Sequence, residues 1–103
     1  IEVSGNWRAC RAKDYAGEPF FASYGQRLAR EASIPVILTG GNRRFDAMER
    51  LATEGGIAGF GLCRPLICEP DLPHRWQIDP HVKPRCVSCN GCSSSPGHRC
   101  ILP

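Results

Sequence analysis

The chain has 103 residues, enough for one small domain, and a formal net charge of +3. Its basic residues are scattered and form no stripe, so we expect no nucleic-acid partner. No apolar run approaches the roughly 18 residues of a membrane span, so we expect no membrane partner either. The hydrophobic content of 42% is compatible with a folded core, while nine prolines and eleven glycines predict many turns.

The first half of the chain predicts a strand, a loop, a helix and a second strand. Residues 1–4 have the pattern of a short strand, and a polar loop over 7–18 follows it. A helix is predicted over 20–32, because apolar side chains recur there at three- and four-residue spacing. The residues of this predicted inner face are Phe21, Tyr24, Leu28 and Ala32. Residues 36–39 form a continuous apolar run, which is typical of a strand buried on both faces.

The second half begins with a helix predicted over 45–54, which ends at a pair of glycines. A glycine-rich strand over 57–62 and a short helical turn reaching Cys68 come next. The chain from 73 to 84 contains three prolines and is predicted to be irregular. Because strands alternate with helices, the sequence predicts βαβ units and a parallel sheet.

Two strand-to-helix junctions carry groups that suit phosphate. Gly40, Gly41 and Asn42 follow one strand, where glycines allow close approach of the backbone and a helix N-terminus offers N–H groups. Cys63 and Arg64 end the next strand, and a guanidinium makes forked contacts to phosphate. Such a pair of adjacent strand ends is the usual phosphate site of a (β/α)8 barrel. Either motif alone more often marks a tight turn, but their order and spacing together predict a phosphate site.

Four of the seven cysteines are clustered near the C-terminus. They are Cys86, Cys89, Cys92 and Cys100. The C-x2-C-x2-C spacing allows thiolates to converge, which suits an iron–sulfur cluster or a structural zinc ion, with ordinary reduced thiols as the alternative. His98, between Cys92 and Cys100, is expected to be a solvated loop residue, and it is the histidine best placed to be a substitute ligand if one cysteine is not used. Clustering at this spacing favours a reducing compartment over a disulfide framework, so we expect a cytoplasmic location.

Four short segments carry a family resemblance, in the same order along the chain. They are SGN at 4–6, PVILTGGNRR at 35–44, GFGLCRPLICEPDLP at 59–73 and RCVSCNGC at 85–92. Together they resemble the C-terminal part of the Old Yellow Enzyme-like NADH:flavin oxidoreductases. The cysteine run is similar to that of the branch with trimethylamine dehydrogenase and 2,4-dienoyl-CoA reductase, whose members carry a 4Fe–4S cluster beside the flavin.

The resemblance implies an FMN-binding TIM barrel. Residues 1–73 would be its strands six to eight, with the FMN phosphate site, and residues 74–103 an irregular cysteine-rich tail. The implied phosphate contacts are the backbone of Gly41 and Asn42 after strand seven, and Cys63 and Arg64 after strand eight. The implied ligands of a 4Fe–4S cluster, or alternatively of zinc, are Cys86, Cys89, Cys92 and Cys100. The loop between Cys92 and Cys100 is shorter than in the cluster-bearing relatives, so zinc or no metal stays open.

The resemblance also implies hydride transfer from NADH or NADPH through flavin to an activated alkene or a similar small-molecule acceptor. The family's substrate-binding pair and tyrosine proton donor lie on earlier strands, so the isolated chain is expected to be inactive. Three strands of a barrel leave an open edge, and we expect it to pair with the missing N-terminal barrel half or with another copy of the chain. The alternative function is a small metal-stapled binding module without catalysis.

Overall fold

Three short strands form one parallel sheet in this computed structural model, which describes residues 1–5 and 19–103. The strands are β1 (Glu2–Val3), β2 (Ile37–Thr39) and β3 (Gly59–Gly61), and they lie in the order β1-β2-β3. Leu38 of β2 lies between Val3 and Phe60 of its two neighbours. The predicted α/β class with a parallel sheet is confirmed. A closed barrel stays a prediction, and the predicted loop over 7–18 lies outside the described residues.

Helices follow each strand. In chain order they are α1 (Ala22–Glu31), α2 (Phe45–Thr53), α3 (Arg64–Cys68) and α4 (Leu72–Ile78), and two 3-10 turns follow at Gly91–Ser93 and Pro96–His98. The helices predicted over 20–32 and 45–54 are confirmed with slightly shorter bounds. None of the helices in the described part of the chain is long and apolar enough to cross a membrane.

Helix α4 corrects the sequence prediction, which made the chain irregular from 73 to 84. Pro73 lies in the first turn of α4, where a missing N–H breaks no helical hydrogen bond. Leu72 and Trp76 lie four residues apart on the same face, and both are buried. The predicted boundary at residue 73 therefore falls inside a helix, and the irregular part of the tail begins after it.

The first core cluster lies between the sheet and helices α1 and α2. It consists of Val36, Leu38, Leu51 and Ile57. The closest approach of α1 occurs at Gly25, where an added Cβ would lie 3.1 Å from Leu38 Cδ1. Tyr24, which the sequence predicts to face the core, is 70% exposed instead. Gly25 has no side chain, so the backbone of α1 can pack closely against Leu38 on this side of the helix.

The two faces of β2 differ in burial. Val36 and Leu38 are buried against the helices, whereas Ile37, on the opposite face, is 43% exposed. The prediction that this strand is buried on both faces is therefore wrong for the described residues. Helices cover one face of the sheet, and an apolar side chain remains accessible on the other.

A second cluster joins α2 to α4 and to the start of the tail. Met48 packs with Leu72 and Trp76, and the Phe45 and Trp76 rings lie 5.9 Å apart. The indole N–H of Trp76 donates to the Val82 carbonyl at 3.0 Å, which holds the chain beyond α4 against this cluster.

Glu69, 4% exposed, adds a polar anchor between α3 and α4. It accepts hydrogen bonds from the Arg75 guanidinium and, at 2.6 Å, from the Arg85 backbone N–H. The bond to Arg85 fixes the backbone directly before Cys86, the first residue of the cysteine run.

Candidate phosphate-binding site

The carboxyl ends of all three strands border one cleft of about 390 Å³. The residues that line it directly after the strands are Ser4 and Gly5, then Gly40, Gly41 and Asn42, and finally Cys63 and Arg64. The structure therefore brings together the four residues that the sequence assigns to phosphate binding. Open α/β sheets bind ligands at this carboxyl edge, so the cleft is a candidate binding site, and the phosphate contacts stay a prediction.

The turn after β2 requires its two glycines. Gly40 and Gly41 have φ angles of +116° and +76°, which side chains other than glycine rarely adopt. Phe20 packs against the same turn, and its N–H donates to the Gly40 carbonyl at 3.1 Å. A Cβ on Gly41 would lie 3.1 Å from the Phe20 nitrogen. The two glycines therefore let the turn at the edge of the cleft pack directly against Phe20 and Phe21, where a side chain would clash.

Asn42 joins the ends of β2 and β3 through its side chain. It is 3% exposed, and its Nδ2 donates to the Leu38 carbonyl at 2.6 Å and to the Gly61 carbonyl at 2.9 Å. Two acceptors on one nitrogen fix the orientation of the amide. Its Oδ1 is buried without a hydrogen-bond partner among the described residues. Asn42 thus has a structural role that the sequence did not indicate, and its predicted backbone contact to phosphate stays a prediction.

The arginines at the two junctions reach the cysteine run. Arg43 Nη1 donates to the Cys86 carbonyl at 3.0 Å and to Ser88 Oγ at 3.1 Å. Arg64 Nη1 donates to Asn90 Oδ1. Ser88 and Asn90 were not predicted from the sequence, because no local pattern shows that residues 26 to 45 positions away will meet these guanidinium groups.

The tail forms one wall of the cleft. Its contribution consists of Ser88, Cys92, Ser93 and His98. His98 Nδ1 lies 3.3 Å from the Cys92 carbonyl oxygen, so the imidazole contacts the backbone of the tail in the structure. Its predicted role as a substitute metal ligand stays a prediction.

The four clustered cysteines line a second, smaller cavity of about 20 Å³. They are Cys86, Cys89, Cys92 and Cys100. Within residues 1–5 and 19–103, no three His, Cys, Asp or Glu side chains are arranged to hold a metal ion. In this arrangement the thiols do not fit a cluster or a zinc ion, and the metal assignment stays a prediction from the sequence.

Cys68 is a fifth cysteine in this region, and the sequence alone does not connect it to the run. Burial raises the pKa of the Cys68 thiol to about 11, and a hydrogen bond with Cys100 contributes to the rise. Near neutral pH it is therefore a protonated thiol with little nucleophilic character. The sequence does not predict the contact between Cys68 and Cys100, because Cys68 lies at the end of helix α3, far from the cysteine run along the chain.

Comparison with known proteins finds similar sequences among reductases and oxidoreductases. A 4,4'-dithiodibutanoate disulfide reductase of Rhodococcus erythropolis is 29% identical over 87 residues, which cover 82% of this chain and 21% of that protein. An NADH-dependent flavin oxidoreductase of Talaromyces variabilis is 35% identical over 66 residues, covering 63% of this chain and 16% of that protein. A metal reductase of Desulforamulus reducens is 31% identical over 104 residues, covering 89% of this chain and 14% of that protein.

The chain is similar to NADH-dependent flavin oxidoreductases over nearly two thirds of its length. The resemblance found in its motifs is thereby confirmed. No protein-family model and no solved structure matches the chain. The chain spans about a fifth or less of the length of the curated proteins that it matches.

Proposed function

We propose that this chain is the phosphate-binding segment of an FMN-dependent NAD(P)H oxidoreductase. The observation that carries the proposal is the meeting of three parallel strand ends at one cleft, with a glycine turn and Arg64 on its border. When bound, FMN would supply hydride transfer between NADH or NADPH and a small-molecule acceptor. The part of this chain is to hold the phosphate end of the cofactor.

Two turns would clamp the phosphate from neighbouring strands. Gly41 and Asn42 supply backbone from the turn after β2, and Cys63 and Arg64 supply backbone and a guanidinium from the turn after β3. Hydrogen bonds to a charged group contribute about 1.5–3 kcal/mol each, so even one or two would give clear discrimination for phosphate. The volume of the cleft accommodates a phosphate group with part of its attached chain.

The rest of the site would come from a missing N-terminal barrel half. Ile37 leaves an apolar side chain accessible on one face of the sheet, and the matched relatives are about five times longer than the aligned region or more. Strands that complete the barrel would cover this face and contribute the contacts to the flavin ring, to NAD(P)H and to the acceptor. By itself the chain would bind flavin without turning over substrate.

Binding of FMN and of riboflavin tests the phosphate site directly, because the two ligands differ only in the phosphate. We expect equilibrium dialysis of the chain to show at least about tenfold tighter binding of FMN, from one charge-assisted hydrogen bond or more. Arg64→Gln should reduce this preference. The exposed Arg30→Gln in α1 serves as the matched control and should leave the preference unchanged.

Equal affinity of the unmodified chain for both ligands would overturn the proposal. Tightly bound zinc together with equal affinities would favour the alternative function, a metal-stapled binding module without catalysis.

A further inference from the structure

Two arginines that line the cleft donate hydrogen bonds to residues of the cysteine run. Arg64 lines the cleft and also the small cavity of the cysteines, so it lies between the two spaces. On the side of the cysteine cavity, its Nη1 donates to Asn90. Arg43, which also lines the cleft, donates to Ser88 of the same run. Two arginines from two strand ends thus donate hydrogen bonds to one short segment, 86–90.

The backbone of this segment has an unusual conformation at the two contact residues. Ser88 and Asn90 have φ angles of +56° and +64°, in the left-handed region that few residues other than glycine occupy. Ser88 is 5% exposed, so its hydroxyl is fixed against Arg43. Uncommon backbone conformations persist where the surrounding structure requires them, and they cluster at ligand sites. Here they place a hydroxyl and an amide oxygen against the guanidinium groups.

We propose that Asn90 and Ser88 are positioning residues that hold Arg64 and Arg43 at the edge of the cleft, so that the cysteine-rich tail sets the affinity for a phosphate-bearing ligand. The inference rests on the proposed function, because it takes the cleft to be the phosphate site. An arginine side chain loses rotamer freedom when it binds an anion. A guanidinium that is already oriented by Asn90 loses less, and its affinity for phosphate is higher.

The chemical type of the acceptor matters at position 90. The amide oxygen of Asn90 orients Arg64 without bringing a negative charge to the cleft. A carboxylate at the same place would hold the guanidinium as firmly, but it would also repel the phosphate and compete for the same N–H groups. Orientation and charge can therefore be tested separately at this one residue.

Asn90→Gly is the informative variant, because glycine keeps the left-handed backbone and removes only the amide. We expect it to weaken FMN binding about three- to tenfold, the effect of losing the orientation of one long side chain, while riboflavin affinity is unchanged. Asn90→Asp should weaken FMN binding further than Asn90→Gly. Ser94→Ala, an exposed change in the same tail, is the matched control and should alter neither affinity.

A double-mutant cycle with Arg64→Gln distinguishes positioning from a general structural effect. If Asn90 acts through Arg64, Asn90→Gly has no further effect on FMN affinity once Arg64 is replaced. An undiminished effect in the Arg64→Gln background would overturn the inference. If Asn90→Gly fails to fold, as judged by circular dichroism, Ser88→Ala tests the same inference through Arg43 and should lower the preference for FMN over riboflavin.

The proposed function and the positioning role fail in different ways. Equal binding of FMN and riboflavin by the unmodified chain refutes the proposed function and the positioning role with it. A preference for FMN that Asn90→Gly and Ser88→Ala both leave intact refutes the positioning role alone.

Discussion

Removal of the Asn42 side chain tests whether it holds the ends of β2 and β3 together. Asn42→Ala deletes two hydrogen bonds, to the Leu38 and Gly61 carbonyls. Each contributes about 0.5–1.5 kcal/mol net, and a buried carbonyl that loses its donor adds to the cost. Loss of Oδ1, which is buried without a partner among the described residues, offsets part of it. We expect the free energy of unfolding to fall by about 2–3 kcal/mol, or the Tm by about 10–20 °C.

Urea unfolding followed by far-ultraviolet circular dichroism measures this loss, and Gln77→Ala provides an exposed amide as the matched control. Asn42→Asp sharpens the experiment, because it would set a carboxylate oxygen against two carbonyl oxygens in a buried site. It should destabilise the chain more than Asn42→Ala at neutral pH, and less so as acid protonates it. A loss below about 0.5 kcal/mol for Asn42→Ala, the range of ordinary surface changes, would refute the structural role.

Two further predictions concern charged side chains. Glu69→Ala removes the acceptor for the Arg75 guanidinium and the Arg85 N–H, and since Arg75 is partly exposed we expect a loss of about 2 kcal/mol in urea unfolding, with Glu69→Gln intermediate. Equal stability of Glu69→Ala and the unmodified chain would contradict this anchor. The hydrogen bond from Arg44 holds the pKa of the Asp46 carboxyl below its usual value. Arg44→Gln should raise that pKa toward the ordinary range in a carboxyl-carbon NMR titration. The stability that this contact adds is present above the ordinary carboxyl pKa of about 4 and is lost as the pH falls through the lowered one. An unchanged titration in Arg44→Gln would show that another group lowers the pKa.

Local periodicity predicted the order of strands and helices, because each element buries an apolar stripe. Periodicity gave wrong predictions where contacts with another element of the fold determine which side of a helix is buried, or whether a helix forms. Tyr24 has the spacing of a core residue, but the close approach of α1 to Leu38 and Ile57 requires Gly25 on that side. Helix α4 was missed because Pro73 has the appearance of a helix breaker, although a first-turn proline is compatible with a helix.

The candidate site was predicted in part for a similar reason. Glycines and arginines directly after predicted strands can be located from the sequence, since parallel strands place their carboxyl ends at one edge. The contacts from Arg43 to Ser88 and from Arg64 to Asn90 join distant parts of the chain, and no local pattern encodes them. The cysteines were expected to converge on a metal, and the structure places them around one cavity without a ligand arrangement in the described part of the chain.

The distance along the chain between Arg43 and the tail bears on the order in which the cleft is assembled. The turn at Gly40 and Gly41 closes on Phe20, so it can form when α1 meets β2. The wall that contains Ser88 closes loops of 43 and 45 residues, and such long-range contacts form slowly. The glycine turn can therefore form before the wall at Ser88, so the cleft is completed last on the side of the cysteine run.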